Sequence, residues 1–171
     1  MSHKAYAFNW EAFTKDDVHD VLLRALESND HTALVRYCRD QRARLRDPYE
    51  GQPLPPDWEG ALENRDVHEY GDYALTRFYN PAEDRGLGEQ WASVSSALSG
   101  GQRAALLGTP LGPPANLFDP GRQGSYFQTP VDVVRSHRKI RESRPPVASL
   151  EAFEAFLQSC ESQNSGLYVT F

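Results

Sequence analysis

The densest group of chemically useful side chains outside any regular periodicity lies between Gly108 and Ser125. This stretch holds four glycines and four prolines, and it carries Asn116, Asp119, Arg122, Gln123 and Ser125. Unpatterned segments longer than about 12–15 residues are uncommon in compact domains and often bind something. Asp119 could move a proton and Arg122 could hold an anion. With His68 brought across by the fold, the three would supply an acid, a cation and a base, the parts of a small enzyme site. A second candidate is an arginine face, where Arg39, Arg42 and Arg46 fall on one stripe of a predicted helix. Guanidinium groups so arranged can grip a phosphate or an acidic partner. Each candidate has a structural counterpart. The loop can be an Ω-type turn packed by Leu111, Leu117 and Phe118 and held by its prolines. The arginines can be a solvated face or can pair with acids elsewhere in the chain.

Leu98-Ser99-Gly100-Gly101-Gln102 spells the signature loop of ABC-type ATPases, and it contains the Gly-Gly-Gln of peptide release factors. Neither chemistry is supported by what surrounds it. An ABC signature acts on a nucleotide cradled by a P-loop, which needs a Gly-Lys pair. The only lysines are Lys4, Lys15 and Lys139, and none follows a glycine. The nearest thing to a Walker-B strand is Leu117-Phe118-Asp119-Pro120, which is short and lacks the second acid. A release factor needs extensive basic surface for RNA, whereas here the tripeptide is followed by Arg103 alone. The expected role is punctuation, with Gly100-Gly101 stopping one helix and "QRAALLG" restarting as another.

Other constellations are sparse. His3, His19, His31, His68 and His137 show no paired metal-ligand spacing, and no C-x-x-C occurs, so no metal or cofactor is expected. His137 reads as the most buried histidine, hydrogen-bonded within the core. No G-x-S-x-G elbow is present, and Ser93, Ser95, Ser96 and Ser99 mark a polar helix face. Asp16-Asp17 stands where acids favour a helix start.

The net charge of −6 disfavours wholesale nucleic-acid binding. Basic residues concentrate in Arg36–Arg46 and Arg135–Arg144, and outside those stretches 8 basic residues face 22 acids. So acidic a remainder suits a basic protein partner. No apolar run approaches the ~20 residues that span a bilayer, and the first residues lack a signal-peptide pattern. With Cys38 and Cys160 read as free buried thiols, a cytoplasmic location is expected.

The elements that must position these groups read as one α+β domain over residues 1–171. It has about five helices packed on a small, mostly antiparallel sheet. Tyr6, Phe8 and Trp10 alternate as a first strand. Thr14 opens a helix with Asp17 as capping partner, Phe13 as staple, and Val18, Leu22, Ala25 and Leu26 on its inner face. A second helix begins near Asn29 or Asp30 and presents Leu34, Cys38, Gln41 and Leu45. A proline-rich connection covers 47–57, and Asp57 caps a short helix to about Asn64. Residues 73–79 read equally as strand or helix. Leu87, Trp91, Val94 and Leu98 form a helical stripe, and "YF" at 126–127 a brief strand. Thr129-Pro130 starts a helix with Val133, His137 and Ile140 inside, ended by Pro145-Pro146. Ser149 caps a last helix with Leu150, Phe153, Leu157 and Cys160 inside. "LYVTF" closes the chain as a strand beside the first.

Over residues 85–171, "GLGEQWASVSSALSG" and "GSYFQTPVDVVRSH" resemble the central helix and following helix start of the bacterial YfbM-like family. Gly88-Glu89-Gln90 replaces the Asp-Lys pair that the family carries before its tryptophan. That resemblance implies a helix-then-strand ending; the family supplies no known activity, so no site residues carry over from it. The expectation for function is a non-enzymatic bacterial interaction protein of the immunity or antitoxin-inhibitor type. The alternatives are a small enzyme built around residues 108–125 and a nucleic-acid binder using the arginine helices.

Overall fold

The computed structural model describes residues 2–143 and 150–171, with the side chain of Ser143 set aside. Three strands, β1 (Lys4–Phe8), β2 (Ser125–Gln128) and β3 (Gly166–Thr170), form an antiparallel sheet in the order β1-β3-β2. The first and last strands are therefore neighbours, and Tyr6 pairs with Tyr168 across them. Eight α-helices surround the sheet among the described residues: α1 (Trp10–Lys15), α2 (Asp17–Ser28), α3 (Thr32–Gln41), α4 (Val67–Leu75), α5 (Trp91–Ala97), α6 (Gly100–Leu107), α7 (Pro130–Ser143) and α8 (Leu150–Ser162). The class is the expected α+β, with more helices than the periodicity predicts.

Side chains alternate across a strand, so the sheet separates two cores. Tyr6, Phe8, Phe127 and Tyr168 face the cluster built with α1–α4. Ala5, Leu167 and Val169 face the cluster built with α5–α8. Phe127 stacks on Tyr168 with centroids 4.8 Å apart, the cross-strand aromatic contact that stabilises sheets. β1 is buried on both faces, where alternation alone predicts one.

Several boundaries move for identifiable reasons. Asn9 accepts the N–H of Ala12 and starts α1, which ends the first strand before Trp10. Asp16, not Thr14, caps α2, through the N–H of Val18 at 3.0 Å, while the Thr14 hydroxyl donates back to Glu11 O. Asp57 makes no side-chain cap to the short 3-10 turn at Trp58–Ala61. Residues 73–75 are helical because Asp66 caps α4, accepting from His68 and Glu69 N–H. The start of α7 is as read: Thr129 accepts the N–H of Asp132, and Asp132 accepts the N–H of Thr129. Pro145-Pro146 and Ser149 lie outside the described residues.

Gly100 and Gly101 do not stop a helix. α5 ends at Ala97, Leu98 is extended, and Ser99 with Gln102 forms a capping box that starts α6 through the two glycines. Side-chain capping outweighs the low helix propensity of glycine here.

His3, not His137, is the most buried histidine, at 0% against 6% exposure. Leu87 N–H donates to its Nδ1 at 3.1 Å, so its Nε2 carries the proton and faces Leu106 O at 3.2 Å. The ring stacks on Trp91, and burial pulls its pKa below the ordinary 6.5. The stability contributed by neutral His3 is therefore present above pH 6.5 and is lost as the pH falls through the lowered folded-state value. Urea unfolding of Asp72→Asn, described below, should show lower stability at pH 5.5 than at pH 7.5. A flat response would contradict this. His137 is hydrogen-bonded as expected, with Nδ1 at 2.5 Å from Glu161 Oε2. Cys38 and Cys160 are free and buried, and burial pushes each thiol up to about 12.

Candidate functional site

The predicted helical stripe does not form, because α3 ends at Gln41, Arg42–Arg44 make a 3-10 turn and Leu45 is extended, so Arg42 and Arg46 lie beyond the helix; all three arginines bond to the chain itself. Arg42 Nη1 donates to Leu54 O and Arg46 Nη1 to Gly51 O, both at 2.9 Å, so these guanidiniums pin the proline-rich 47–57 connection. That connection has few backbone partners of its own, because proline lacks the N–H. Arg39 forms a two-pronged pair with Glu59 at 2.7 and 2.9 Å. This pairing holds the Glu59 carboxyl below its usual range. Around it, Arg36, Arg65, His31 and Tyr70 line an open groove.

The 108–125 segment is stapled at both ends and in the middle. Thr109 and Phe127 exchange backbone hydrogen bonds at 2.8 Å. Asn116 Nδ2 donates to Leu26 O at the C-terminal end of α2. Phe118 is fully buried, whereas Leu117 is 39% exposed. The Asp119 carboxylate accepts the N–H groups of Gln123 and Gly124, closing a tight turn. Gln123 itself is exposed.

His68, Asp119 and Arg122 do gather around the N-terminus of α4. Asp119 donates its backbone N–H to His68 Nδ1 at 3.2 Å. Arg122 Nη2 lies 3.4 Å from Asn64 Oδ1 and 3.8 Å from Asp66 Oδ2. These contacts run through turn backbone and helix cap. They hold the loop against α4 and leave the Asp119 carboxylate committed to two amides. Among the described residues, no three His, Cys, Asp or Glu side chains could jointly hold a metal ion, and no helix is long and apolar enough to cross a membrane.

What the loop does build is the wall of a recess. Pro120 closes a cavity of about 400 Å³ lined by Asp47, Glu63, Glu69, Tyr49 and Tyr73. Two of its carboxylates are fixed by backbone. Asp47 Oδ1 accepts the N–H groups of Tyr49 and Glu50 at 2.8 Å. Glu69 accepts the N–H groups of Glu63, Asn64 and Arg65 at 2.6–2.9 Å. Negative charge is thus held at set positions without further ordering when something binds. Tyr49 stands beside it, 66% exposed, one of three large exposed hydrophobic side chains in the described structure. Sequence reasoning missed this recess, because its acids are 16 and 6 residues apart and share no helical or strand period. The one local signal was the Asp47-Pro48 turn start.

Comparisons of the chain with protein-family models, with curated proteins and with solved structures returned no match.

Proposed function

We propose that the protein is a non-enzymatic interaction protein of the immunity or antitoxin-inhibitor type, capturing a basic partner protein at the Asp47–Glu63–Glu69 recess. The single observation that carries the reading is that recess: fixed carboxylates, an aromatic wall and an exposed Tyr49 together. A lysine or arginine side chain entering it would meet oriented negative charge beside the exposed Tyr49. Tyrosines at such rims are frequent binding hot spots. The acidic balance of the chain outside its two basic stretches supports fast capture of a cationic partner. The reading includes a bacterial cytoplasmic setting, which suits two free buried thiols.

The test is capture from native lysate by the immobilised protein, compared with Glu63→Lys and Tyr49→Ala. Both positions are outside the core, so the variants fold. The expected result is one stoichiometric basic protein, held at least tenfold more weakly by each variant, which corresponds to about 1.4 kcal/mol. Roughly 0.5 M salt should release it, because exposed charge pairs are screened at that ionic strength. Absence of a stoichiometric partner, or one held equally by all three proteins, overturns the reading.

A further inference from the structure

Asp72 connects the acidic recess with the core. It lies on α4, three residues after Glu69 and one before Tyr73, both of which line the recess. Residues three apart on a helix are neighbours. Tyr73 OH in turn donates to Asp47 Oδ2 at 3.5 Å, while Asp47 Oδ1 is taken by backbone amides. The Asp72 carboxyl itself is buried: the residue is 8% exposed, and Oδ1 accepts the Tyr168 hydroxyl at 3.4 Å. Tyr168 stands against Tyr79 and Tyr6, with ring centroids 5.1 and 6.1 Å away. Among the described residues no cation pairs with Asp72, and Lys4 acts on it from farther off.

A buried carboxyl without an ion pair is governed by the charge around it. Burial raises the Asp72 pKa from 3.8 to about 7, the Tyr168 hydrogen bond and Lys4 oppose the rise, and Asp47 and Glu69 reinforce it. Two acids of the recess therefore act on a proton that is exchanged near neutral pH. The tyrosines that face Asp72 stay neutral there. Burial holds the hydroxyls of Tyr6, Tyr79 and Tyr168, and those of Tyr49 and Tyr73 at the recess, above the ordinary 10. His68, one turn earlier on α4, is turned to the Asp119 N–H, which its Nδ1 accepts. A unit charge within about 12 Å, at an effective dielectric constant near ~20, moves a carboxyl by about one pH unit. Glu69, one turn away, is inside that range, and so is a cation seated against it.

We infer that capture of a cation at the recess is linked to release of the Asp72 proton, so that capture tightens as the pH rises from about 6 to about 8. The linkage rests on the recess being the capture site. An incoming positive charge offsets Asp47 and Glu69 and favours the ionised form of Asp72, whose proton passes to water. By reciprocity, ionised Asp72 favours the cation. A one-unit fall in the Asp72 midpoint on capture corresponds to about fivefold tighter binding over that interval. Modest acidification then loosens a bound partner.

The test titrates the ¹³C signal of the Asp72 carboxyl, identified by its absence in Asp72→Asn, in the unaltered protein and in Glu63→Lys, Glu63→Gln and Glu89→Lys. Glu63 is exposed and lines the recess, and Glu89 is exposed outside it. The midpoint should fall by at least roughly half a unit in Glu63→Lys, about half as far in Glu63→Gln, and by less than about 0.1 in Glu89→Lys. Binding of an acetylated tetra-arginine amide, whose own charge is constant over the range, is measured at about pH 6 and about pH 8. It should tighten at least about twofold in the unaltered protein and stay level in Asp72→Asn. A midpoint unmoved by Glu63→Lys, or moved as far by Glu89→Lys, overturns the linkage, as does a tightening that survives Asp72→Asn. If the peptide binds at neither pH, the recess is not the capture site, and the Glu63→Lys midpoint still decides whether Asp72 responds to its charge.

Discussion

Asp72→Asn is expected to stabilise the protein by about 4 kcal/mol at pH 8 and by almost nothing at pH 4. Asp72 lies on α4 and is 8% exposed, with Tyr168 OH donating to it at 3.4 Å. Burial raises its pKa from 3.8 to about 7, opposed by the Tyr168 hydrogen bond and Lys4 and reinforced by Asp47 and Glu69. The folded protein thus holds a proton on Asp72 that the unfolded chain releases near pH 3.8. A raised folded-state pKa means that stability is full below the unfolded value and is lost as pH rises through the folded one. Asparagine keeps the shape and can still accept from Tyr168, but it never ionises. The difference between variant and unaltered protein in urea unfolding should grow steadily between pH 4 and pH 7 and then level off. A difference that does not vary with pH would show that Asp72 is not an uncompensated buried acid. Taking the difference also cancels the His3 effect, which acts in the other direction over the upper part of the same range.

Phe118→Ala is expected to destabilise the fold by about 3–5 kcal/mol, the usual penalty for emptying an aromatic site in a core. Phe118 is fully buried. Its ring faces Phe127 at 6.2 Å and His68 at 6.4 Å. Gly71 on α4 makes room for it, since a methyl group there would meet Phe118 Cε2 at 2.7 Å. The neighbouring Leu117→Ala should change stability by less than ~0.5 kcal/mol, as exposed positions do. Equilibrium unfolding of the two variants separates an integrated loop from a draped one, and a small effect of Phe118→Ala would mean that the segment is draped. The same substitution should also disturb the acidic recess, because Pro120 sits two residues beyond Phe118.

Much of the architecture is written in local pattern. The inner face of α2, Val18, Leu22, Ala25 and Leu26, is buried as its spacing implies. The Thr129 cap begins α7, and the terminal strands pair. Hydrophobic period and capping act within one or two turns of chain, so a single sequence displays them. The loop residues at 116–125 were visible as polar groups on a glycine- and proline-rich segment. Their roles were not, because Asn116 finds its partner 90 residues away on α2 and Asp119 meets His68 51 residues away.

The arginines show the same division. Their helical spacing was legible, but the helix stops at Gln41, and whether the arginines met solvent, a ligand or the chain itself depended on where residues 51–59 returned. The glycine pair at 100–101 illustrates the limit from the other side. Read locally, it stops a helix. In the fold it starts one, under Lys139, because the Ser99–Gln102 capping box and the close approach of α7 decide between two helix boundaries that local propensity leaves nearly equal. Sequence by itself therefore determined the fold class, the paired end strands and the apolar faces, since these rest on short-range periodicity. Tertiary structure alone decided which polar groups are buried, Asp72 and Gln128 above all. Removal from water is set by atoms brought from distant parts of the chain, and no local pattern encodes it.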